Sequence, residues 1–300
     1  HYGITAGEVD LAGFPLFGLF NSVMGVTTIF PKMDFTQPAN VNPDFLLEHA
    51  RDWSPTQSFG SPALWNTVGA YCTKHQRRFS TIRRVLSAGA PVPPHVLSNI
   101  QKSISEEGTV HTPYGATEAL PVASISSHEI LQETAALSAE GKGTCVGTRF
   151  PKINWHVIAI TDEPIHQLSD AEILPPGKMG ELIVQGPVVT AEYATRRDAN
   201  PLAKIQDANG FWHRMGDCGY FDDKQRFWFC GRKSHRVLTA SGTMFTVPCE
   251  AIANGHPKVF RSALVGIGDK LQQKTPVMIV ELWPEHAKSY DHQAQQQVLD

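Results

Sequence analysis

The sequence predicts an α/β protein in three parts: a layered α/β N-terminal domain of which the chain holds a part, a small β-barrel subdomain, and a truncated α+β C-terminal domain. Three observations predict this class. Helical apolar spacing alternates with short β-rich runs over residues 1–127. Alternating or β-branched segments divided by Pro, Gly and Asp turns follow residue 142. A mixed pattern, too short for a complete domain, then follows residue 232.

In the first part, helical spacing predicts helices at residues 44–53, 63–75 and 95–104, and β-rich runs predict strands at residues 26–30, 84–87 and 109–111. Helices separated by short buried strands are typical of a layered α/β domain. The most apolar stretch, residues 14–30, contains Pro, Asn, Ser and Thr and falls short of the about 20 apolar residues that cross a membrane. We therefore expect a buried helix followed by a strand there.

The β-rich part begins after residues 128–142, which are mostly polar and without a clear period. Its predicted strands are residues 154–160, 180–185, 219–221 and 226–229. The last part is predicted to contain strands at 236–239, 262–267 and 277–283, a helix at 248–254, and a Gln-rich helical stretch that reaches residue 300. The predicted domain boundaries are accordingly 1–135, 136–232 and 233–300.

Composition excludes several classes of protein. Hydrophobic residues make up 41% and charged residues 18% of the chain, as in folded proteins rather than disordered or fibrous ones. The 26 Lys and Arg residues against 29 Asp and Glu residues give a net charge of -3, so no overall field favours nucleic acid or an anionic membrane. The densest basic stretch, residues 77–84, lacks interleaved aromatic residues and is interpreted as a solvated face.

Five cysteines form an odd set without a C-x-x-C pair or metal-ligand spacing. This pattern is typical of reduced thiols, so we expect a cytoplasmic protein without a disulfide framework. The chain begins with His1 and shows no basic segment or cleavage-site pattern. We therefore expect it to be cut from a longer chain rather than targeted.

The first candidate site is a loop after the run at 109–111, with the sequence Tyr114-Gly115-Ala116-Thr117-Glu118. Glycine beside an aromatic ring lets the backbone approach a flat ligand, and a tyrosine face can stack on a purine. Thr117 offers a hydroxyl donor to a phosphate oxygen, and Glu118 one hard oxygen ligand to Mg²⁺. These residues alone also fit a plain strand-end turn whose glutamate points to water.

The second candidate site is Gly216-Asp217, followed fifteen residues later by Gly231-Arg232. An aspartate can accept hydrogen bonds from both hydroxyls of a ribose, and a nearby arginine adds charge-assisted bonds to ribose or phosphate. A β-turn aspartate and a surface arginine explain the same residues equally well.

The order of these motifs resolves the alternatives. In sequence they are Ser87-Ala88-Gly89-Ala90-Pro91, Tyr114 to Glu118, Val146-Gly147 with Pro151, Gly177, Gly180-Glu181-Leu182, Gly186-Pro187, Tyr193, Gly216-Asp217, Gly231-Arg232, Gly242, and Pro248 with Glu250. This series, from about residue 14 to about residue 267, resembles the adenylate-forming superfamily of acyl-CoA synthetases, luciferases and peptide-synthetase adenylation domains.

The resemblance implies a role for each matching position near the nucleotide base and phosphates. Tyr114 matches the residue that stacks on adenine, and Gly115 the one that lines the route of the carboxylate. Thr117 matches the residue that binds the α-phosphate, and Glu118 the one that reaches Mg²⁺. The positions that border the adenine and the acyl pocket are Gly89, Ala90 and Pro91.

The resemblance further implies that Asp217 and Arg232 hold the ribose of ATP. The implied chemistry is attack of a substrate carboxylate on the α-phosphorus of ATP with loss of pyrophosphate, so ATP and Mg²⁺ are the expected cofactors. The family's phosphate-binding loop and a late lysine would lie before His1 and beyond Asp300. The chain alone is therefore not expected to be the whole catalyst.

Departures from the family narrow the choice. Phe17 and Gly18 are expected to line an apolar tunnel for a long acyl chain, with Gly18 where many acyl-CoA synthetases carry histidine. Met215 replaces the usual threonine before Gly-Asp. The hinge that lets the small C-terminal domain rotate falls at Ser234 and His235, where no carboxylate is evident.

These departures, with His111-Thr112-Pro113-Tyr114 and Val247-Pro248-Cys249-Glu250, resemble the β-lactone synthetases of bacterial olefin biosynthesis. That branch adenylates a long-chain β-hydroxy acid, whose own hydroxyl displaces AMP to close a β-lactone without CoA. The resemblance implies this small-molecule substrate, association with other lipid-biosynthetic enzymes, and no nucleic acid or transmembrane segment. The alternatives are a long-chain fatty acyl-CoA ligase and a degenerate nucleotide-binding scaffold.

Overall fold

A computed structural model describes residues 1–268 and 273–287, and it forms two compact units. The first unit contains His1–Glu133 and Val146–Lys152, and the second contains Thr134–Cys145 and the residues from Ile153 onward. The division expected at residues 135 and 232 stays a prediction. The helical stretch expected towards residue 300 lies outside the described residues.

The first half of the chain alternates strands and helices. Its strands are β1 (Val9–Ala12), β2 (Thr27–Ile29), β3 (Gln57–Gly60), β4 (Arg84–Ser87), β5 (Thr109–Ala116), β6 (Ala119–Ser126), β7 (Thr144–Cys145) and β8 (Thr148–Arg149). Its helices are α1 (Pro15–Val23), α2 (Pro43–Trp53), α3 (Pro62–His75), α4 (Pro94–Ser103), α5 (Ser127–Glu129) and α6 (Ala135–Ala139). The helices expected at 44–53, 63–75 and 95–104 are confirmed as α2, α3 and α4.

The first unit is built on a sheet whose strand order, within the described residues, is β2-β1-β3-β4-β5-β6-β8. The five strands β2, β1, β3, β4 and β5 run parallel, β6 pairs antiparallel with β5, and β8 pairs antiparallel with β6. Proline in the first turn begins helices α1 to α4, where its missing N–H costs nothing. The side chain of Asn42 caps α2 and that of Ser61 caps α3, each by accepting a hydrogen bond from a backbone N–H group of the helix. The layered α/β class is confirmed for this unit.

One hydrophobic core stabilises this unit. It joins strand residues such as Leu11, Val85 and Val110 to helix residues such as Trp65 and Ile100, all at most 1% exposed. Helical and strand periodicity brings these positions to one face of each element. The core therefore fixes the helices against the parallel strands whose ends carry the candidate site.

The expectation of a buried helix within residues 14–30 is wrong in one respect. The helix and strand are present as α1 and β2, but α1 turns Leu16, Leu19, Phe20 and Val23 outwards, with exposures of 56%, 66%, 58% and 88%. Its inward side presents small or polar residues, including Gly18. Apolar composition alone predicted burial but cannot say which neighbours a helix has. No helix in the described part of the chain is both long and apolar enough to span a membrane.

The second unit is mainly β-structure. Its later strands are β9 (Asn154–Ile158), β10 (Gly180–Gln185), β11 (Lys204–Asp207), β12 (Gly210–Phe221), β13 (Phe227–Arg232), β14 (Val237–Thr239), β15 (Gly242–Met244), β16 (Val259–Ile267) and β17 (Thr275–Leu282). Its later helices are α7 (Asn200–Ala203), α8 (Thr246–Asn254) and α9 (Pro284–Ala287). The strand expected at 180–185 and the helix expected at 248–254 are confirmed as β10 and α8.

An antiparallel sheet of order β7-β13-β12-β10-β9, with β11 added beside β12, forms the β-rich part among the described residues. Two hairpins follow, β14-β15 and β16-β17. Strand β12 is much longer than the expected 219–221. The sequence pattern did not indicate its full length, because the polar residues Arg214 and Asp217 interrupt the apolar alternation. Residues 128–142 contain short α- and π-helical turns that no clear period predicted.

Candidate functional site

The carboxyl ends of two neighbouring parallel strands carry the first group of candidate residues. The loop that follows β4 contains Gly89, Ala90 and Pro91. Strand β5 pairs with β4 over its first three residues and then continues, so Tyr114 and Gly115 lie past the end of β4. Ligands of open parallel sheets bind at this edge.

Residues 114–116 belong to strand β5, so the expected loop is limited to the turn at Thr117 and Glu118. Thr117 is exposed and Glu118 half-buried. A Cβ on Gly115 would lie 2.5 Å from the carbonyl oxygen of Ala119 and 2.9 Å from Leu120 Cδ1. Glycine is therefore required for the close β5-β6 hairpin that presents the turn.

The backbone at Gly89 leaves space for a ligand. Gly89 has a φ of +98°, which favours glycine, and no heavy atom lies within 4 Å of where its Cβ would be. The preceding Ser87 is fully buried, and its Oγ has no hydrogen-bond partner among the described residues. The loop after β4 can thus receive a flat group against its backbone.

Asp217 and Arg232 form an ion pair in the second unit. They are opposite residues of β12 and β13, and Arg232 Nη1 donates to Asp217 Oδ1 at 2.6 Å and to the carbonyl oxygen of Met215 at 3.2 Å. The Asp217 side chain is 6% exposed and that of Arg232 50%. Gly216, with a φ of +65°, bends the strand immediately before Asp217. The pairing places together a carboxylate, which can accept hydrogen bonds from hydroxyl groups, and a guanidinium, which can donate to oxygen atoms.

A buried carboxylate links the neighbours of this pair. Glu181 Oε2 accepts from Arg214 Nη2 at 2.6 Å, from Arg214 Nε at 3.1 Å and from Lys233 Nζ at 3.1 Å. The side chains of Glu181 and Arg214 are each 1% exposed. The sequence motifs did not indicate this cluster. A partial signal was present, since Glu181 lies inside the apolar strand expected at 180–185, and charged side chains are almost never fully buried unless they are paired.

The expected hinge residues Ser234 and His235 lie in a short 3₁₀ turn, Lys233–His235, at the end of β13. Arg236, just after the turn, donates to Asp162 Oδ2 and to the carbonyl oxygen of Lys233. The hydrogen bond from Arg236 lowers the pKa of Asp162. Arg232 before the turn and Arg236 after it therefore each form an ion pair, with Asp217 and Asp162 respectively.

An aromatic cluster surrounds the expected acyl-chain residues. The Phe17 ring lies 4.1 Å from that of Phe59 and 5.6 Å from that of Phe14 between ring centroids. Phe17 is half-buried, and the cluster stands where β1 and β3 end. Gly18 is buried, and a Cβ there would lie 2.9 Å from Phe30 Cζ. The ring cluster offers an apolar surface, while Gly18 permits close packing of α1 on β2.

Glu118 is the candidate residue with a carboxylate in the first unit. Mg²⁺ keeps waters and binds one or two carboxylates together with substrate phosphates, so a single glutamate is compatible with such an ion. Within residues 1–268 and 273–287 no group of three or more His, Cys, Asp or Glu side chains is placed to hold a metal by itself. Burial raises the pKa of the Cys218 thiol to about 12, so this neighbour of Asp217 is a poor nucleophile or metal ligand.

The family model for AMP-binding enzymes matches residues 14–194. An olefin beta-lactone synthetase from Stenotrophomonas maltophilia is 44% identical over 94% of this chain and 51% of its own length. One from Xanthomonas campestris is 42% identical over 96% of this chain and 52% of its own length. The chain thus spans about half the length of these curated relatives.

The fold is similar to that of solved adenylate-forming enzymes. An O-succinylbenzoate coenzyme A synthetase from Bacillus subtilis, solved in complex with ATP and magnesium ion, superposes with a TM-score of 0.72. Its sequence identity is 21%, and the match covers 98% of this chain and 55% of that one. The mixed α/β class expected from the sequence is confirmed by this similarity.

Proposed function

Since the chain belongs to the family of AMP-binding enzymes, we propose that the protein of which it forms part adenylates a long-chain β-hydroxy acid and closes it to a β-lactone. Two relatives named olefin beta-lactone synthetase, at 44% and 42% identity, support this product. The Phe14–Phe17–Phe59 cluster supports a long apolar chain as substrate.

The observation that carries the adenylation step is the 2.6 Å pair between Asp217 and Arg232. A buried carboxylate beside a half-exposed guanidinium matches a ribose with two hydroxyl donors and a nearby phosphate. Both residues remain in the chain and in contact with each other. Together with Thr117 and Glu118, which also remain, this argues against decay to a degenerate nucleotide-binding scaffold.

The residues at the ends of β4 and β5 take the other nucleotide roles in this proposal. Tyr114 stacks on adenine, and Thr117 donates to the α-phosphate. Glu118 is the ligand of Mg²⁺, which neutralises phosphate charge when bound. The residues that border adenine and acyl chain are Gly89, Ala90 and Pro91.

In the first step the substrate carboxylate attacks the α-phosphorus of ATP, and the bond to pyrophosphate breaks. Thr117 and Arg232 orient and neutralise the phosphate and ribose, so that alignment rather than proton transfer lowers the barrier. In the second step the β-hydroxyl oxygen bonds to the acyl carbon, and AMP leaves with the mixed-anhydride oxygen. The hydroxyl proton passes to solvent, and CoA is not consumed.

The remaining expectations follow from this proposal. Ser234 and His235 form the hinge between the two steps, and Phe17 and Gly18 border the acyl tunnel. The partners are the acid and ATP, with other lipid-biosynthetic enzymes as candidates for association. The protein acts in the cytoplasm.

Exchange of labelled pyrophosphate into ATP, dependent on a long-chain β-hydroxy acid, tests the adenylation step in the full-length protein. Asp217→Asn should raise the KM for ATP about tenfold, because a charge-assisted hydrogen bond to ribose is lost. Asp223→Asn, at an exposed turn of the same hairpin, should leave it unchanged. Absence of exchange with every acid tested, or an unchanged KM in Asp217→Asn, would contradict the proposal.

A further inference from the structure

Glu181, Arg214 and Lys233 are named here the Glu181 triad: Glu181 and Arg214 lie on the paired strands β10 and β12, and Lys233 begins the 3₁₀ turn that follows β13. Glu181 lies on β10 opposite Cys218, the residue after Asp217 on β12. Arg214 lies on β12 three residues before Asp217, and Lys233 directly follows Arg232. One carboxylate oxygen, Glu181 Oε2, therefore contacts both Arg214, on the same strand as Asp217, and Lys233, the residue next to Arg232.

The triad is further tied to the loop after β9. Arg214 and Lys233 both donate to the carbonyl oxygen of Thr161, and Arg214 Nη1 donates to that of Glu163 at 2.9 Å. Lys233 Nζ lies 3.1 Å from the carbonyl oxygen of Thr161. The two cations are thus fixed in position by shared acceptors rather than held by one contact each.

Stability alone does not account for this arrangement. Desolvation of buried charges offsets much of their attraction, so apolar residues of similar volume are often equally stabilising. In addition, Glu181 Oε1 is buried and has no hydrogen-bond partner among the described residues, which is an unfavourable state for a carboxylate oxygen. A charge kept at this cost requires a role beyond packing.

Asp222 and Arg226 form a second ion pair on the same hairpin, and its hydrogen bonding differs from that of the Glu181 triad. Asp222, at the β12-β13 turn, accepts from the backbone N–H groups of Lys224 and Arg226, from Arg226 Nε and from Trp228 Nε1. Both of its oxygens are used, and it lies at the opposite end of β13 from Arg232. Asp222 is therefore a structural carboxylate and a matched control.

We infer that Glu181 is a positioning residue, which acts through Arg214 and Lys233 to hold Asp217 and Arg232 in register for the ribose of ATP. The inference rests on the proposed function of that pair. The Glu181 side chain is only 1% exposed, so the proposal gives it no contact with the nucleotide. Its effect is therefore on the affinity of a preorganised site rather than on a chemical step.

Steady-state pyrophosphate exchange with varied ATP in the full-length protein tests the inference. Glu181→Gln and Lys233→Met should each raise the KM for ATP, by about tenfold at most, with much smaller changes in kcat. Lys233→Arg should restore the KM, because a guanidinium can keep contacts to both Glu181 and Thr161. Lys233→Met leaves the Arg214–Glu181 pair intact, so it decides the matter if Glu181→Gln does not fold.

Asp222→Asn is the control and should lower the Tm without changing the KM for ATP. A lower Tm with an unchanged KM in Lys233→Met, while Asp217→Asn raises the KM, would overturn the inference and leave the proposed function standing. An unchanged KM in Asp217→Asn would instead overturn the ribose role and the inference with it.

Discussion

Asp10 is a buried carboxyl group on β1, 3% exposed, that accepts a hydrogen bond from Asn21 Nδ2 at 2.7 Å. Burial raises the pKa of Asp10 from 3.8 to about 6, against the opposing effect of the Asn21 hydrogen bond. Because the folded pKa lies above the unfolded one, the folded state binds the proton more tightly. The stability that Asp10 contributes is complete below about pH 4 and is lost as the pH rises through 6.

Asp10→Asn should therefore stabilise the protein at pH 8, by at most about 3 kcal/mol, and change little at pH 4. The amide cannot ionise, and its oxygen can still accept from Asn21. Urea unfolding of both variants at the two pH values measures this difference. An equal effect at pH 4 and pH 8 would show that packing, not charge, governs the site.

Glu8 shows the opposite pH dependence. Burial acts to raise its pKa, but hydrogen bonds from Arg84, Thr5 and Thr56 and the charge of Arg84 together lower the pKa from 4.5 to about 2. Its stabilisation is thus present above pH 4.5 and is lost as the pH falls towards 2. Glu8→Gln should lower the free energy of unfolding at pH 7 by about 3 kcal/mol, since Arg84 remains buried. Equal unfolding midpoints for variant and parent at pH 7 would contradict this.

At the scale of residues, the sequence indicated Asp217 and Arg232 as partners. The two residues belong to separate motifs of the series, and the family resemblance gives both motifs the same expected role. Sequence reasoning placed Glu181 within a motif of the series but gave it no role, and did not indicate Asp10. A charge in a strand pattern is ordinarily assigned to the solvent side, and its partner cannot be inferred without the register. The register places Glu181 opposite Cys218, the residue after Asp217.

At the scale of elements, two glycines allow the strands β9, β10, β12 and β13 to lie close to one another. Gly180 on β10 and Gly219 on β12 are opposite each other. A Cβ on Gly180 would lie 2.2 Å from the carbonyl oxygen of Ile158, and one on Gly219 would lie 2.1 Å from that of Trp228. Neither backbone oxygen can move without separating the strands. The sheet that carries Asp217 therefore depends on both glycines.

Gly219→Ala should lower the free energy of unfolding by about 3 kcal/mol, through overpacking against the backbone. Gly255→Ala is the control, since its Cβ would meet atoms at 3.2 Å or more and its φ of -69° suits any residue. Thermal unfolding of the two variants measures the contrast. Equal Tm values would mean that β12 and β13 separate at little cost.

Periodicity predicted α2, α3, α4, β4 and β10 because each has a regular apolar pattern and clear end signals. It did not predict that α1 is exposed or that β12 extends over twelve residues. In α1 most of the large apolar residues lie on the outer side and Gly18 and Asn21 on the inner side, so apolar composition did not indicate which face is covered. For β12 the residues that interrupt the apolar pattern are Arg214, a member of the Glu181 triad, and Asp217, a member of the proposed ribose site.

At the scale of the whole molecule, the order of motifs identifies the family, while no single motif does. The three-part organisation was expected because strand and helix patterns change near residues 142 and 232. The acyl substrate is less accessible to sequence reasoning, since it depends on side-chain directions such as those in the cluster of Phe14, Phe17 and Phe59. The product is therefore the quantity to measure.

The most direct test incubates the full-length protein with ATP, Mg²⁺ and a long-chain β-hydroxy acid, with and without CoA, and identifies the products by mass spectrometry. The account predicts AMP and β-lactone in equal amounts in both reactions. Acyl-CoA formed only when CoA is present, with no β-lactone in its absence, would contradict the account and favour a fatty acyl-CoA ligase.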